Sequence, residues 1–223
     1  MERTGWPCGR ARWVLRTLYG RLSSVFRFLA IRAQVRASHP LNVILGAGPV
    51  NVSGWIPTDA DILDVTSTRA WVKLFSPNSI DRLMAEHVLE HLSDAECTMA
   101  LTECFRYLKG GGLLRVAVPD GNRKDREYVE EVSPPKDGHK LLFTVDDLVA
   151  RLDRIGFEAT PLEYFDVSDR FHSHPWEEAD GLIRRSVRHD TQERFKRGPL
   201  YYTSLIVDAR KPWNKQRIAK SAE

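Results

Sequence analysis

The sequence predicts an α/β domain in which helices flank a largely parallel sheet. Two observations lead to this prediction: short apolar runs alternate with helical patterns along residues 41–210, and capping signals stand at the starts of the helical segments. With 223 residues, of which 42% are apolar and 28% charged, the chain is long enough for one compact domain with a substantial core.

Strands are predicted where a short apolar run is stopped by a turn signal. Such runs lie at residues 41–45, 55–59, 79–85, 113–120, 157–165 and 201–209. Two helices are predicted to begin after Ser93 and Thr144, because each of these residues is followed by an acid three positions later. Residues 110–112, all glycine, end the first helix, and Gly156 ends the second.

The first 40 residues differ in charge from the rest of the chain. They contain eight arginines, no lysine and one acid, whereas residues 41–223 are slightly acidic. An apolar stripe at helical spacing, flanked by arginines, comprises Leu15, Leu18, Leu22, Val25, Phe26 and Leu29. Three interpretations stay open for this basic arm: a helix docked on the domain, an amphipathic helix whose residues 10–36 contact an anionic membrane, and a contact with nucleic acid.

Cysteine usage and hydropathy exclude several classes of protein. Three cysteines without a C-x-x-C pair predict neither a disulfide framework nor a zinc knuckle, and they fit a reducing compartment. No run approaches the ~20 apolar residues of a membrane span. Arginines interrupt the N-terminal stretch that a secretory signal would need to be apolar. We therefore expect a cytoplasmic protein, with peripheral association at the inner face of a membrane as the alternative.

The first predicted strand ends in the glycine loop Gly46-Ala47-Gly48-Pro49. A dinucleotide fingerprint would need a third glycine where Asn51 stands, and the Lys-Ser/Thr of a phosphate-binding loop is missing. Taken alone, the loop is best interpreted as a structural turn. However, Asp59, a second acid and residues 85–91 then follow at the spacing of successive strand ends, where ligands bind in such sheets.

Four stretches in this order resemble the class I S-adenosylmethionine-dependent methyltransferases. They are "LGAGPVNVSGWIPTD", "LDVTSTRAWVKLFSPNSIDRL", "EHVLEHLS" and "RYLKGGGLLRVAVPD". The resemblance covers about residues 41–120, more weakly 139–210, and is nearest to small methyltransferase-domain proteins of glycan and glycolipid pathways. It implies a Rossmann-like three-layer sandwich, whose seven-stranded, mostly parallel sheet has an antiparallel last strand. It also implies S-adenosylmethionine as cofactor and S-adenosylhomocysteine as product.

The resemblance also implies cofactor contacts at Gly46, Ala47, Gly48, Asp59, Asp64, Val65, Glu86 and His87. The glycine loop would surround the methionine part, and Asp59 would accept hydrogen bonds from both ribose hydroxyls. Asp64 and Val65 would lie at the adenine, while Glu86 and His87 would face the sulfonium. The chain departs from the family at Ile44, where many members carry an acid, and at Lys109-Gly110, which replaces a Pro-Gly turn. The short segment 49–55 also replaces a helix.

Residues 87–91 spell H-x-x-E-H, the inverted zinc-peptidase pattern. A zinc site of this kind needs His87 and His91 on one face of a continuous helix, and the predicted strand end and the cap at Ser93 leave room for at most one turn. We therefore predict no metal there. His87 is interpreted as a catalytic base or positioning group near the transferred methyl, or as a residue that shapes the turn.

Residues 166–202 lie between the last two predicted strands, where this fold often carries an acceptor-binding insertion. Candidate acceptor-binding residues there are His172, His174, Trp176, Arg184 and Arg185. The domains are then a basic arm (1–40), a methyltransferase domain (41–212) and a C-terminal tail (213–223). The sequence gives no oligomeric state.

The predicted activity is methyl transfer to a small-molecule or glycan-type acceptor, with an oxygen favoured over a nitrogen. One alternative is a degenerate cofactor-fold module that docks at a membrane or a protein partner. The other, which we disfavour, is a zinc hydrolase that uses His87, Glu90 and His91. Nucleic acid is disfavoured as a partner because the domain is slightly acidic and has no obvious basic face.

Overall fold

The computed structural model describes residues 25–189, 200–201 and 203–213. Within these ranges the chain forms five helices: α1 (25–37), α2 (Thr68–Leu74), α3 (Asp94–Tyr107), α4 (Arg126–Val132) and α5 (Val145–Ile155). The strands are β1 (Asn42–Leu45), β2 (Ile56–Pro57), β3 (Ile80–Glu86), β4 (Leu108–Val118), β5 (Glu158–Phe165), β6 (Phe171–Ser173) and β7 (Leu205–Arg210). Three 3-10 turns lie at Leu89–His91, Lys136–Gly138 and Glu178–Asp180.

The seven strands form one sheet in the order β2-β1-β3-β4-β7-β5-β6. Strands β1 to β5 run in one direction, since β1, β2, β3 and β4 pair in parallel and β7 is antiparallel to both β4 and β5. The prediction of a mostly parallel, seven-stranded sheet with an antiparallel last strand is therefore confirmed. Strand β6, which forms a hairpin with β5, is a second antiparallel strand that was not predicted.

Side chains alternate between the two faces of the sheet and so build two cores. The larger core joins one face to α1, α2, α3 and α5, and Trp71 and Tyr107 stack in it with ring centroids 5.1 Å apart. The smaller core on the other face includes Ile44 and Met84. In the described ranges, irregular segments around Trp55 and Trp176 cover this face, in keeping with the poor helix-forming sequence of residues 49–55.

Three predicted helix-capping residues cap their helices in the structure. Ser93 caps α3 in a reciprocal capping box with Glu96, and the Thr144 side chain accepts from the Asp147 N–H at the start of α5. Gly156 ends α5 in the left-handed conformation, with φ +110°. The prediction that glycines 110–112 end α3 is wrong: α3 ends at Tyr107, and the glycines lie inside β4, which is longer than the predicted strand.

Helix α1 docks on the domain, but through a different face from the predicted stripe. Ile31 and Val35 are buried in the larger core, whereas Val25, Phe26 and Leu29 are 53%, 69% and 53% exposed. The other stripe residues, Leu15, Leu18 and Leu22, lie outside the described residues. Among the helices of the described ranges, none is both long and apolar enough to cross a membrane.

Candidate functional site

The candidate site lies where β1 and β3 end. These strands are parallel neighbours, so their carboxyl ends lie at one edge of the sheet. Strand β1 lies between β2 and β3: the chain runs from β1 to β2 on one side and then crosses to β3 on the other side. Such a topological switch point opens a crevice between the loops that follow the two strands. The glycine loop follows β1, and His87 follows β3.

The glycine loop has a backbone that other residues rarely adopt. Gly46 and Gly48 have φ of +60° and +52°, in the left-handed region that favours glycine. A Cβ atom on Gly46 would lie 2.6 Å from the Val88 side chain, so a larger residue cannot replace it without displacing Val88. A Cβ on Gly48 would meet no atom within 4 Å, so the loop backbone is open to a ligand at this point.

The glycine loop, Glu86 and His87 share one cavity of about 320 Å³, which we call the glycine cavity. Arg184 and Arg185 line the same cavity. The Glu86 carboxylate accepts a hydrogen bond from the Arg185 N–H at 2.8 Å and so fixes the arginine segment beside the strand ends. The structure thus brings together five of the eight residues predicted at the cofactor and two of the five predicted at the acceptor.

Asp59 lies next to the glycine cavity rather than in its wall. Its Oδ1 accepts from the Gly48 N–H at 2.9 Å, and Oδ2 accepts from no described residue. Asp59 and Gly48 line a groove of about 880 Å³ between α1 and residues 48–59. Because Gly48 belongs to both, the groove continues the glycine cavity towards α1.

Asp64 and Val65 are held by local contacts. Asp64 Oδ1 accepts from the backbone N–H and the hydroxyl of Thr66 at 3.0 and 2.7 Å, so this oxygen closes a turn of its own. The Val65 carbonyl accepts from the Trp71 indole N–H at 3.0 Å. Neither residue is among those that line the glycine cavity.

His87 has a backbone strained in a way that is uncommon for a non-glycine residue. Its φ is +56°, and conformations of this kind cost on the order of 1–3 kcal/mol. The backbone N–H of His87 donates to the Ala117 carbonyl at 2.9 Å, which holds the turn against β4. In this conformation the imidazole lines the glycine cavity and also a second cavity of about 230 Å³. We call the second one the histidine cavity; its walls include His87, Arg185 and His139.

Both ring nitrogens of His87 have partners. Nδ1 lies 2.8 Å from Glu90 Oε1, a contact of hydrogen-bond length although not well directed, and Nε2 lies 2.8 Å from Ser204 Oγ. Because an ionised carboxylate only accepts, Nδ1 carries the hydrogen and Nε2 accepts from the Ser204 hydroxyl. The Arg185 guanidinium contacts the ring at 2.9 and 3.2 Å from its two nitrogens.

Burial decides the protonation of His87. It lowers the pKa of the imidazole below its ordinary value of 6.5, and the neighbouring Arg185 cation lowers it further, while Glu90 acts in the opposite direction. His87 is therefore neutral at pH 7. With Nδ1 held by a buried carboxylate, its basic atom is Nε2.

The zinc-peptidase arrangement on H-x-x-E-H is not formed. Leu89–His91 is a single 3-10 turn rather than a continuous helix, as the sequence predicted. Glu90 and Ser204 already occupy both nitrogens of His87. The role of Ser204 was not predicted, because a serine before the last strand gives no signal until the fold brings β7 beside β4.

Three residues predicted at the acceptor lie away from both cavities. Trp176 is buried: Arg115 and Arg188 lie 4.7 and 4.2 Å from its ring, and its N–H donates to Glu163. His172 is on β6 at the far edge of the sheet and bonds Asp166 at 2.9 Å; His174 follows it. The geometry gives Trp176 and His172 structural roles, and a sugar cannot stack on an enclosed Trp176.

Comparisons with known proteins give structural neighbours only. No protein-family model matches the sequence, and no curated protein matches it. The chain is similar to a SAM-dependent methyltransferase from Thermotoga maritima, with 16% identity and a TM-score of 0.46 over 90% of this chain and 97% of that one. It is similar to a SAM-dependent methyltransferase from Archaeoglobus fulgidus, with 16% identity and a TM-score of 0.45 over 86% and 99%. It is also similar to a chain of a Haloferax volcanii complex between the Trm112 methyltransferase activator and a methyltransferase, with 14% identity and a TM-score of 0.47 over 83% of this chain and 79% of that one.

Proposed function

We propose that the protein is an S-adenosylmethionine-dependent methyltransferase that methylates an oxygen of a small-molecule or glycan-type acceptor. The observation that carries the proposal is the position of His87. A neutral imidazole, held at Nδ1 by a buried carboxylate, stands between a cavity walled by a glycine loop and a second cavity lined by polar side chains. A base that lines both cavities can reach an acceptor hydroxyl that enters from the second cavity and meets the methyl donor directly.

The residues fit the proposed cofactor. The open face of Gly48 lets a ligand approach the loop backbone, and Asp59 Oδ2 is available to a diol. We propose that Gly46, Ala47 and Gly48 hold the methionine part beside Glu86 and His87, and that Asp59 holds the ribose in the groove that begins at Gly48. Asp64 and Val65, at the next turn, remain the proposed residues at the adenine.

When bound, S-adenosylmethionine supplies a methyl group whose bond to sulfur breaks with the electron pair left on sulfur, while the acceptor oxygen forms the new bond to carbon. The acceptor hydroxyl loses its proton, and His87 Nε2 is the atom that can take it once the acceptor replaces the Ser204 hydroxyl as its hydrogen-bond partner. Glu90 keeps the ring oriented, since it engages Nδ1. The exposed Arg184 and the Arg185 guanidinium favour an acceptor with anionic or polar oxygens.

Calorimetric titration with S-adenosylhomocysteine tests the cofactor. We expect binding in the micromolar range that Asp59→Ala weakens at least tenfold, because the ribose loses a carboxylate partner. The matched control is Asp61→Ala, an exposed acid two residues away that pairs with Arg27, and it should bind like the wild type. Absence of binding at millimolar ligand would refute the proposal.

The acceptor class is tested with a panel of hydroxylated acceptors, with and without phosphate, carboxylate or sugar groups, and radiolabelled methyl donor. We expect Arg184→Gln to raise KM for anionic acceptors and leave neutral ones unchanged. The labelled methyl should be found in an ether of the acceptor hydroxyl, and a methyl located on nitrogen or carbon by NMR would contradict the choice of oxygen. Intact cofactor binding with no turnover across the panel would favour the binding module.

For the basic arm, we propose contact with an anionic membrane. Val25, Phe26 and Leu29 expose an apolar strip on α1, and the exposed Arg32 and Arg36 lie further along the same helix. Flotation with vesicles containing phosphatidylserine should carry the wild type and lose Phe26→Glu. Neutral vesicles and Val72→Glu, at another exposed apolar residue, are the controls. Flotation of Phe26→Glu at the wild-type level would contradict the proposal.

A further inference from the structure

A group of metal-ligand side chains lies outside the site proposed for methyl transfer. Glu90, His91 and His139 each offer one ligand atom, and the three atoms lie within 4.8 Å of one another. A point equidistant from three atoms at that limit is about 2.8 Å from each, so shifts of under about 1 Å would give the ~2.0–2.2 Å bonds of a zinc ion. Glu90 and His139 are buried, while His91 is exposed and leaves a path from solvent.

The backbone fixes this group although its members are far apart in sequence. The Glu90 carbonyl accepts from the N–H groups of Lys140 and Leu141 at 2.7 and 3.1 Å, which lays the segment after His139 across the Leu89–His91 turn. The 3-10 turn before it ends at Gly138, which has a left-handed backbone, and the His91 and His139 rings lie with their centroids 4.9 Å apart. Main-chain hydrogen bonds therefore hold the segments that carry His91 and His139 side by side.

The hydrogen bonding of His139 presents a free lone pair. Its Nδ1 lies 2.7 Å from the Val132 carbonyl, and because a carbonyl only accepts, Nδ1 carries the hydrogen. Nε2 is then the unprotonated nitrogen. Metal-binding histidines are typically held in this way, with the second ring nitrogen donating to a carbonyl or carboxylate.

Glu90 supplies an independent reason to expect a cation. Its side chain is 0% exposed, and neither carboxylate oxygen has a well-formed hydrogen bond within the described residues. The one close partner among the described residues is His87 Nδ1, 2.8 Å from Oε1, in a contact that is not well directed. A buried carboxylate with so little compensation is costly, whereas a metal ion at Oε2 would balance its charge.

We propose that Glu90, His91 and His139 bind a divalent transition-metal ion, with zinc as the leading candidate. Two imidazoles and one carboxylate suit zinc or ferrous iron better than magnesium or calcium, which prefer oxygen ligands. Three protein ligands leave at least one position open, as in catalytic rather than structural sites. His91 and His139 line the histidine cavity, so the open position faces the proposed acceptor space.

The binding site stands without the proposed methyl transfer; only its role rests on it. An ion here would polarise an acceptor hydroxyl so that its proton leaves more readily, in a cavity that shares His87 and Arg185 with the glycine cavity. The acceptor oxygen would then be held by the ion while His87 Nε2 takes the proton. We therefore expect the histidine cavity to bind acceptors whose oxygen can coordinate a metal ion.

The test is zinc titration of the full chain, free of any histidine tag and washed with chelator, by calorimetry and elemental analysis. We expect one zinc per chain. His139→Ala and the exposed His91→Ala should each weaken binding by more than the ~10–100-fold typical of second-shell losses. His174→Ala, at an exposed histidine on the far edge of the sheet, is the matched control. Cobalt in place of zinc should give visible absorption bands that His91→Ala abolishes.

Substoichiometric zinc in the wild type, or equal affinity in wild type, His91→Ala and His139→Ala, would overturn the inference. His91→Ala changes an exposed side chain, so its effect is free of the folding defect that His139→Ala could cause. S-adenosylhomocysteine binding is measured on the same chelated protein. Cofactor binding without zinc binding refutes the metal site alone, and zinc binding without cofactor binding refutes the methyltransferase proposal alone.

Discussion

Two histidine–carboxylate pairs in this protein have nearly the same length and opposite surroundings. His87 lies 2.8 Å from Glu90, and His172 lies 2.9 Å from Asp166. The first pair is buried, with side chains 16% and 0% exposed; the second is half-open, at 34% and 20%. Distance alone therefore does not distinguish a site from a surface contact.

The surroundings of the two pairs explain the difference. His87 follows a central strand, and its other nitrogen meets Ser204 from the neighbourhood of β7, so it lies between two cavities. His172 lies on the edge strand β6 and stacks on Tyr164 at 4.9 Å, and Asp166 is shared with the backbone N–H groups of Ser168 and Arg170. The second pair closes a hairpin, whereas the first orients a neutral imidazole towards a cavity.

The largest expected difference is in methyl transfer. His87→Ala should lower kcat/KM by about 10²–10⁴-fold, the usual contribution of a positioned base, while His172→Ala should stay within about twofold. S-adenosylhomocysteine affinity, measured alongside, should fall by a smaller factor than kcat/KM for His87→Ala, which lines the glycine cavity, and stay unchanged for His172→Ala. An equal loss of activity in both variants would remove the distinction between the pairs.

The carboxylates should differ in their effect on stability. Glu90→Gln removes a fully buried charge that has little compensation, so it should leave the unfolding free energy of the metal-free protein unchanged or raise it. Asp166→Asn, in a partly solvated pair, should lower the unfolding free energy slightly, because the side chain loses its ion pair with His172. Urea unfolding of chelated protein measures both. A larger loss of unfolding free energy for Glu90→Gln than for Asp166→Asn would contradict the argument that the Glu90 charge lacks compensation.

The smallest effect is a shift in pH dependence. Because burial lowers the pKa of His87 below 6.5, the acid limb of kcat/KM should lie below pH 6.5 in the wild type. The same shift makes the folded state lose stability as pH falls below 6.5, since the unfolded chain then binds a proton that folded His87 does not. Glu90→Gln should move the limb to still lower pH, because the carboxylate raises this pKa. A limb at or above pH 6.5 would be incompatible with a buried neutral His87.

Much of the fold could be predicted because its signals are local. Ser93 and Thr144 satisfy orphan N–H groups of their own helices, and Gly156 adopts a backbone open to few other residues, whatever the rest of the chain does. The predicted strand positions hold for the same reason. Strand β6 was missed because a three-residue edge strand leaves too short a pattern to detect.

The site residues that could be predicted from the sequence are likewise those that depend on local signals. The glycine loop, Glu86 and His87 follow strand ends, so a correct strand assignment already predicted that they converge. Trp176 was misjudged because its sequence context does not reveal that two arginines enclose it. The exposed stripe of α1 was misjudged for a related reason: its apolar residues lie on two sides of the helix, and the domain buries only one.

The sequence alone determined six of the seven strands, the starts of α3 and α5, the end of α5, and that a glycine loop meets the residues after β3; it did not predict α2, α4 or β6. Tertiary structure alone decided which partners the 87–91 turn would have. Ser204 and His139 come from segments far along the chain, and packing and backbone hydrogen bonds bring them to His87 and Glu90. Long-range proximity of this kind leaves no periodic trace in a sequence, because it depends on how whole elements pack and not on the residues beside it.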